Sequence, residues 1–446
     1  MKFIREKVWQ IPQPSSDNGD PVFKEVTQTK FFNEYHPTSH KIFDKGWYMD
    51  IGIEDEEGNM QYIPISRVAV PFQSMSIDII LSHLLGNKTY LSDSTLKENP
   101  SLPLYREYWD EANIDIARYK FVKNVLSLGD GALIFYRDKD KGLQYQSLSM
   151  FDGDEFYMEL DKYNEPMRFF KYYGKKCDVY DDNYVSTYVM GENDEDWKLE
   201  LSSPHGFRGM PVVYHNRPQG AFWTPVQSNI ETLEKMLSRL SEDNKTKFKS
   251  LYNLKTDDPD SVRTVQSGNI DMVVTDTDGD FKLIPAAEIS SQFEFEYNAQ
   301  KEIIFDSLGI VFPKHKSSGD MPTGSMKMMF YPTERVVMSL INEFDDSIDK
   351  INKIVKQGFV NEFPSSAPDI LEGNIKASIR LFTPQDDVTR NESIASLLSK
   401  GVISEETAAE ECSIAANNEV ARKEKEYQQE MERERAKADV RLPYMD

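Results

Sequence analysis

The chain has 446 residues and a mass of 51.5 kDa, a length that predicts about two to four domains. Hydrophobic residues make up 39% and charged residues 28%, which is enough apolar sequence for a sizeable core and excludes a wholly disordered or fibrous chain. The formal net charge of −23 excludes a generic nucleic-acid binder, which needs a basic surface. Any contact with DNA is therefore expected through local basic patches.

The two cysteines and the amino-terminal residues indicate the cellular location of the protein. Cys177 and Cys412 lie far apart in sequence and predict neither a disulfide-stapled scaffold nor a zinc site. The first residues lack the apolar run of a signal peptide, and no stretch approaches a transmembrane span. We expect a cytosolic or assembly-phase protein without a membrane partner.

The amino-terminal region, residues 1–216, predicts an antiparallel α+β module. Residues 47–53 alternate in polarity and residues 60–65 follow an acidic turn, a pattern typical of a hairpin. Apolar spacing predicts one helix over 71–85 and a second over 104–129. The first helix is expected to bury Phe72, Met75, Ile79 and Ile80. Strands are predicted at 132–137, 143–148, 156–160, 167–173, 178–179 and 184–190.

Beyond residue 216 the pattern favours long helices. A helix over 224–248 carries a narrow apolar seam, formed by Val226, Ile230, Leu233, Leu237 and Leu240, as in helices that pack on other helices. A strand-prone island at 251–285 follows, with a hairpin expected between 270–275 and 281–284. A second helix over 286–308 places apolar residues on one side, namely Ile289, Phe293, Tyr297, Ile304 and Leu308.

A Gly/Ser/Pro-rich loop over 309–324 separates the second long helix from a third, predicted over 325–359 with a kink or delayed start at Pro332. The stripe of this third helix comprises Val337, Leu340, Phe344, Ile348, Ile351 and Val355. A strand over 375–382 and a helix capped by Ser404 come next. The stretch 419–437 has almost no apolar face and predicts a solvated or frayed helix.

No motif for catalysis or for a cofactor is complete. The loop from Gly319 to Gly324 has the glycine spacing of a phosphate-binding loop, but Ser325 stands where that motif needs lysine. The acidic triplet that begins at Asp276 lacks the glycine and the last acid of a calcium loop. His36 and His40 are separated by a proline, which opposes the helical pairing of a zinc protease. We therefore predict no catalytic residue, no metal and no cofactor.

Acidic pairs keep one enzymatic alternative open. The groups Asp152/Asp154/Glu155 and Asp181/Asp182 are residue types that hold two metals in nucleases. Such pairs are more often solvated turns.

The order of parts in the second half resembles the portal proteins of tailed bacteriophages, of the siphophage type. The resemblance is carried by residues 224–248, the strand residues 280–284, the loop from Ser318 to Ser325, the closing segment 379–386 and the segment 401–408. It implies an α+β portal fold with a strand-rich wing, a helical stem, a small α/β clip, a long helix behind a tunnel loop, and a short helical crown. The implied regions are 1–223 for the wing, 224–248 and 286–308 for the stem, 249–285 for the clip, 309–324 for the tunnel loop, 325–388 for the long helix and the returning wing strand, and 389–446 for the crown.

The resemblance also implies a function without enzymatic activity. Such proteins form a ring, usually of twelve copies, at one capsid vertex, and double-stranded DNA passes through the ring during packaging and ejection. Implied partners are the terminase large subunit, a head–tail adaptor, the major capsid protein and any internal scaffold protein. The implied location is the virion, preceded by the host cytoplasm during assembly. A helical adaptor or scaffold-type assembly protein without a DNA channel is the main alternative, and a metal-dependent nuclease is the other.

Two groups of residues follow from these assignments. Those expected to meet DNA in the tunnel loop are Pro313, Lys314, His315, Lys316, Ser317, Ser318, Gly319 and Gly324, with Lys327 just beyond. Those expected to pack the stem are Ile230, Leu233, Leu237, Leu240, Phe293, Tyr297, Ile304 and Leu308.

Overall fold

The computed structural model describes residues 27–54, 59–93, 99–163, 165–190, 197–247, 250–256, 270–276, 290–311, 323–382 and 387–412, with a few residues between 423 and 431. The chain divides into two compact units. The first comprises residues 1–311 and 332–382, and the second comprises residues 312–331 and 383–446.

Helices and strands alternate irregularly along the chain, which is compatible with the predicted α+β class. The α-helices are α1 (Thr27–Tyr35), α2 (Phe72–Leu85), α3 (Leu102–Glu111), α4 (Ile114–Leu128), α5 (Gln227–Lys247), α6 (Ser290–Leu308), α7 (Thr323–Glu362), α8 (Ala367–Glu372), α9 (Asp387–Ser399) and α10 (Glu405–Glu411). The strands are β1 (Ile51–Glu54), β2 (Met60–Ile63), β3 (Tyr90–Asp93), β4 (Asp130–Asp138), β5 (Gly142–Leu148), β6 (Glu155–Leu160), β7 (Pro166–Tyr173), β8 (Lys176–Tyr180), β9 (Tyr184–Met190), β10 (Trp197–Pro204), β11 (Val212–Asn216), β12 (Ser250–Thr256), β13 (Ile270–Asp276) and β14 (Ile375–Ser378).

Two antiparallel sheets form the strand-rich part of the first unit. One has the order β10-β9-β8-β7-β6 and the other the order β11-β4-β5. Strand β4 is buried on both faces: Ala132 and Ile134 pack toward Met158 and Phe169 of the larger sheet, whereas Leu133 and Phe135 point into the helical core. This alternation follows from the two-residue period of a strand, and it fixes the smaller sheet between the larger sheet and the helices.

The main core of the first unit is helical. The stripe predicted for the third long helix is buried as expected, with Val337, Phe344, Ile351 and Val355 all fully covered. Helix α7 continues through Pro332, so the alternative of a delayed start is wrong. In α2 the buried face is centred on Ile77 and Ile80, and Met75 and Ile79 lie only at its edge.

The helix predicted over 104–129 is two helices, α3 and α4. Asn113 separates them with a φ of 54°, the one positive φ at a residue other than glycine in the described part of the chain. Asparagine tolerates this left-handed conformation because its short polar side chain can bond locally, and its amide donates to the Glu111 carbonyl at 3.1 Å. The apolar period runs across both helices, so periodicity alone could not reveal the break.

The pairing of strands shows where the predicted strands agree with the structure and where they differ from it. Strand β13 pairs in parallel with β12; the segment 281–284, predicted to be its hairpin partner, lies outside the described residues. Strand β14 ends at Ser378, short of the predicted 382, because its partner β3 has only four residues. The predicted hairpin near the amino terminus is confirmed as β1 and β2, which pair from Ile51 with Ile63 to Glu54 with Met60.

The second unit contains α9 and α10. Ser404 caps α10 as predicted, because its hydroxyl accepts the Thr407 backbone N–H at 3.2 Å. The Cys412 thiol donates to the Asn391 side-chain oxygen at 3.5 Å, and this bond connects the end of α10 with α9.

Candidate stem helices and interaction surfaces

Helices α5 and α6 pack against each other at one end. The Asn229 amide donates to the Gln300 side-chain oxygen at 3.0 Å, which joins the start of α5 to the second half of α6. Of the predicted seam of α5, Ile230 and Leu233 are fully buried and Leu237 packs at the edge of the core. Leu240, one turn further on, is half-buried. The seam therefore becomes more exposed toward the carboxyl end of the helix.

The predicted stem-packing residues of α6 are also buried at one end of the helix and more exposed at the other. Ile304 and Leu308 lie in the core. Phe293 and Tyr297 are half-buried, and their rings stack with centroids 6.3 Å apart. The buried end of α6 is thus the end next to α5's first turns.

A second apolar stripe on α6 was not identified from sequence. Phe295 is 77% exposed and Ile303 46% exposed, with Ala299 halfway between them. The spacing of four residues puts all three on one face. The four-residue spacing of this stripe can be read from the sequence. However, α6 carries two overlapping sets of apolar residues, and only the packing of α6 against α5 shows which of the two sets is buried.

The predicted tunnel-loop residues from Pro313 to Gly319 lie outside the described residues. Gly324 and Lys327 lie in the first two turns of α7. The described structure does show how the chain leaves α6. Gly309 has a φ of 66°, its carbonyl accepts the Thr333 hydroxyl at 2.6 Å, and a Cβ at this position would lie 2.6 Å from the Val336 side chain. Only glycine fits here, so Gly309 forms a close-packed turn directly after α6.

An extended segment, residues 64–70, lies along one face of α5. Its alternate backbone N–H groups donate to side chains one helical turn apart. The bonds run from Ser66 to the Glu242 carboxylate (2.8 Å), from Val68 to the Ser238 hydroxyl (2.9 Å) and from Val70 to the Glu234 carboxylate (3.0 Å). Two extended residues span about 6.6 Å and four helical residues about 6 Å, which explains why the two elements stay in register.

Two of these acceptors have further electrostatic roles. Buried Glu234 also bonds the Nδ1 atom of buried His40 at 2.6 Å, so the segment around His40 is held to the same helix. The Ser66 N–H lowers the pKa of Glu242, because hydrogen bonding favours the charged carboxylate. This region of α5 therefore binds two other segments of the chain, residues 64–70 and the segment around His40.

A charged cluster connects β11 to α7. Arg217, just after β11, donates to both carboxylate oxygens of Glu343, with the shorter bond at 2.7 Å. His215 lies between Glu343 and Ser347, with its Nδ1 atom 3.1 Å from the Ser347 hydroxyl, and its ring packs on Phe344. Burial raises the pKa of Glu343, but the bonds from His215 and Arg217 outweigh burial and the pKa is lowered.

The order Ser347–His215–Glu343 has the residue types of a hydrolytic triad but not its accessibility. The Ser347 side chain is buried in the face of α7 that meets β11, and a nucleophile must reach its substrate. Glu343 is occupied by Arg217. The cluster therefore has a structural role: its hydrogen bonds attach the end of β11 to α7.

One residue of each acidic group considered for a nuclease caps a turn. Asp154 accepts the Ser149 backbone N–H at 3.1 Å, and Asp181 accepts the N–H groups of Asn183 and Tyr184 at 2.8 and 2.7 Å. Over the part of the chain that the structure describes, no three or more acidic, histidine or cysteine residues cluster as metal ligands. Within the same part, no helix has the length and apolarity needed to cross a membrane.

Comparison with known proteins identifies the family. No individual curated protein matches the chain. Residues 23–438 match the family model described as phage portal protein, SPP1 Gp6-like, so that the match covers nearly the whole chain, including the strand-rich half that the sequence motifs left less defined. A portal protein is a structural component of the phage capsid with a role in genome packaging, and the chain belongs to this phage portal protein family.

Proposed function

We propose that the protein forms a ring of twelve copies at a single capsid vertex and that double-stranded DNA passes through this ring during packaging and ejection. The observation that carries the proposal is the order of elements α5, β12, β13, α6 and α7, inside the span that matches the portal family. In this assignment α5 and α6 form the stem, residues 249–285 form the clip, and residues 309–324 form the tunnel loop.

The partners follow from the same assignment. The clip is proposed to meet the terminase large subunit during packaging and a head–tail adaptor afterwards. The wing, residues 1–223 with the returning strand of 325–388, is proposed to face the major capsid protein and any scaffold. Residues 389–446 are proposed to form a crown that faces the packaged genome.

Charge supports a channel that lets DNA slide. Each chain carries a net charge of −23, and a ring of such chains repels phosphate over most of its surface. Lysines at 314, 316 and 327 are proposed to offset this repulsion locally. The exposed apolar stripe of Phe295, Ala299 and Ile303 is proposed to pack against a neighbouring subunit in the stem.

The ring is tested by the mass of the purified protein in solution, with negative-stain images of the main species. A particle near twelve times 51.5 kDa with a central hole is the expected result. A monomer or dimer at every protein concentration, alone and with scaffold protein, would contradict the ring and favour the helical adaptor. Cleavage of DNA that requires magnesium and stops with a chelator would instead favour a nuclease.

The tunnel loop is tested by the double variant Lys314→Ala with Lys316→Ala. We expect normal ring assembly and altered DNA packaging or retention, because the variant removes positive charge facing the DNA. Lys139→Ala with Lys141→Ala, on the exposed turn between β4 and β5, is a control that removes the same charge elsewhere. Packaging equal to the wild type in the loop variant would refute the loop's role while leaving the ring intact.

A further inference from the structure

The hairpin formed by β1 and β2 is exposed on both faces. Tyr62 is 67% exposed, and Ile51, Met60 and Ile63 each expose about half of their surface. Strand pairing puts Ile51 and Ile63 on one face and Tyr62 beside Gly52 on the other. An isolated two-stranded hairpin is at best marginally stable in water, and a cluster of exposed apolar residues marks an interaction surface. We call this hairpin the arm.

The base of the arm is held firmly. Asp50, directly before β1, receives a hydrogen bond from Arg67 at 2.7 Å, and Lys45 lies 3.4 Å from the same carboxylate. Arg67 also donates to the Tyr48 carbonyl at 2.9 Å. The chain after β2 then continues into the segment bonded along α5. A firm base under an uncovered apolar hairpin presents that hairpin to a partner with little loss of conformational entropy on binding.

The same chain has a surface that matches the arm. On α4, Ile116 and Tyr119 are exposed, and Lys120 and Lys123 lie on the same face, since their positions follow at three, four and seven residues from Ile116. Neither lysine pairs with a carboxylate among the residues that the structure describes. This face therefore combines two apolar side chains with two uncompensated positive charges. We call it the α4 face.

Charge distinguishes the two surfaces. In the sequence, β1 ends and the connection to β2 begins with four acidic residues, Glu54, Asp55, Glu56 and Glu57. The α4 face carries positive charge. Opposite charges beside matching apolar patches favour one orientation of docking.

We propose that the arm of one copy docks on the α4 face of the next copy around the ring. The proposal rests on the proposed function, because it takes the ring as given and assigns one of its contacts. Arm and face are different surfaces of one chain, so the contact is head-to-tail. Contacts of this kind close into a ring when the rotation between copies fits, whereas two copies exchanging arms symmetrically would stop at a dimer.

The test is chemical cross-linking of the assembled full-length protein. Tyr62→Cys and Ile116→Cys are combined in a Cys412→Ser background, and a short bis-maleimide is added; the remaining cysteine, Cys177, is buried. Head-to-tail docking predicts a ladder of dimer, trimer and larger products on a denaturing gel. Tyr163→Cys with Ile116→Cys is the matched control, because Tyr163 is equally exposed on a different turn, and it should give no ladder.

Charge reversal on the face gives an independent readout. Lys120→Glu with Lys123→Glu, in the cross-linking background, should lower the yield of trimer and larger products about tenfold, because acidic residues on the α4 face would then repel the acidic sequence that joins β1 to β2. Lys139→Glu with Lys141→Glu changes the net charge equally and should leave the yield unchanged. All four lysines lie outside the core, so the variants should unfold at the wild-type temperature.

Each other outcome contradicts a specific claim. Intact rings that give no ladder would overturn the arm contact but not the ring. Rings in which the cysteine on the arm is shielded from the maleimide only after capsid protein is added would do the same, because the capsid protein would then be the partner of the arm. Cross-linking that stops at the dimer would overturn the head-to-tail orientation. A wild-type protein that forms no ring would overturn the proposed function and, with it, the neighbouring copy as the occupant of the α4 face.

Discussion

Arg217 shows how one side chain joins distant parts of this protein. Arg217 directly follows β11, and its guanidinium group donates hydrogen bonds to both carboxylate oxygens of Glu343 on α7. The side chain of Arg217 is only 7% exposed. A planar guanidinium suits this two-oxygen geometry better than an ammonium group does. The bond connects the smaller sheet with the long helix that is proposed to lie behind the tunnel loop.

We predict that Arg217→Met lowers the free energy of unfolding by about 2 kcal/mol, because a half-buried carboxylate loses a charged hydrogen-bond donor. The measurement is the thermal unfolding midpoint by circular dichroism. Lys88→Met is the control: it removes an ion pair with Asp110 that is exposed on both sides and should have little effect. Equal shifts in the two variants would show that Arg217 acts only as a surface charge.

Asp50 gives a prediction of pH dependence. The hydrogen bond from Arg67 holds the pKa of its carboxyl below the ordinary value of 3.8, so the pairing stabilises the folded state above the pKa of the unfolded chain and is lost as the pH falls through the lowered pKa. The midpoint difference between wild type and Asp50→Asn should be constant above about pH 5 and shrink as the pH falls below 3.8. A difference that persists at low pH would mean that Asp50 acts through shape and not through charge.

At the scale of elements, the link between α3 and α4 sets the direction of α4. Ala112 and Asn113 are the two residues between the helices, and the left-handed conformation of Asn113 lets one helix end and the next begin without a longer loop. The turn is closed by backbone bonds on both sides, from Asn113 to the Asp110 carbonyl and from Ile116 to the Asn113 carbonyl. The orientation of Ile116, Tyr119, Lys120 and Lys123 depends on this turn.

We predict that Asn113→Val lowers the free energy of unfolding by about 1–2 kcal/mol, whereas Asn113→Gly is close to neutral, because a β-branched residue is strained at positive φ and glycine is not. Thermal unfolding measures both. Glu107→Val, at an exposed position inside α3, controls for the helix propensity of valine and should cost a few tenths of a kcal/mol. Equal losses at the two sites would argue against strain at Asn113.

At the scale of the whole molecule, the net charge of −23 is expected to govern the proposed encounter with DNA. Basic DNA-binding proteins bind more tightly as salt is lowered, because counterions are released. The proposed ring of chains with a net negative charge should do the opposite, since net repulsion between the ring and DNA reaches further when screening is weak. The two classes therefore differ in the sign of the salt dependence.

We predict that the purified protein binds linear double-stranded DNA with a dissociation constant weaker than about 10⁻⁴ M at physiological salt, and that lowering the salt produces no binding. Fluorescence anisotropy of a labelled duplex at two salt concentrations measures this. Binding that strengthens at low salt would reveal an accessible basic surface and would contradict a wall on which DNA slides.

The sequence by itself determined the elements whose signals are local. The stripe of α7 is an example: Val337, Phe344 and Val355 recur at helical spacing, and the period of a helix is set by its own backbone whatever it packs against. The cap at Ser404 depends only on the next three residues. The order of long helices and loop in the second half pointed to the portal family, and the family match over residues 23–438 confirmed it.

The tertiary structure decided what depends on partners distant in sequence. It determined that β13 pairs in parallel with β12, that Phe295 is exposed while Ile304 is buried, and that the helix predicted across Asn113 is two helices. Strand pairing and the choice between two apolar stripes are each settled by small differences in packing free energy, whereas the break at Asn113 was missed because the apolar period runs across it. Those differences arise between residues far apart in the chain, and no local pattern of residues records them.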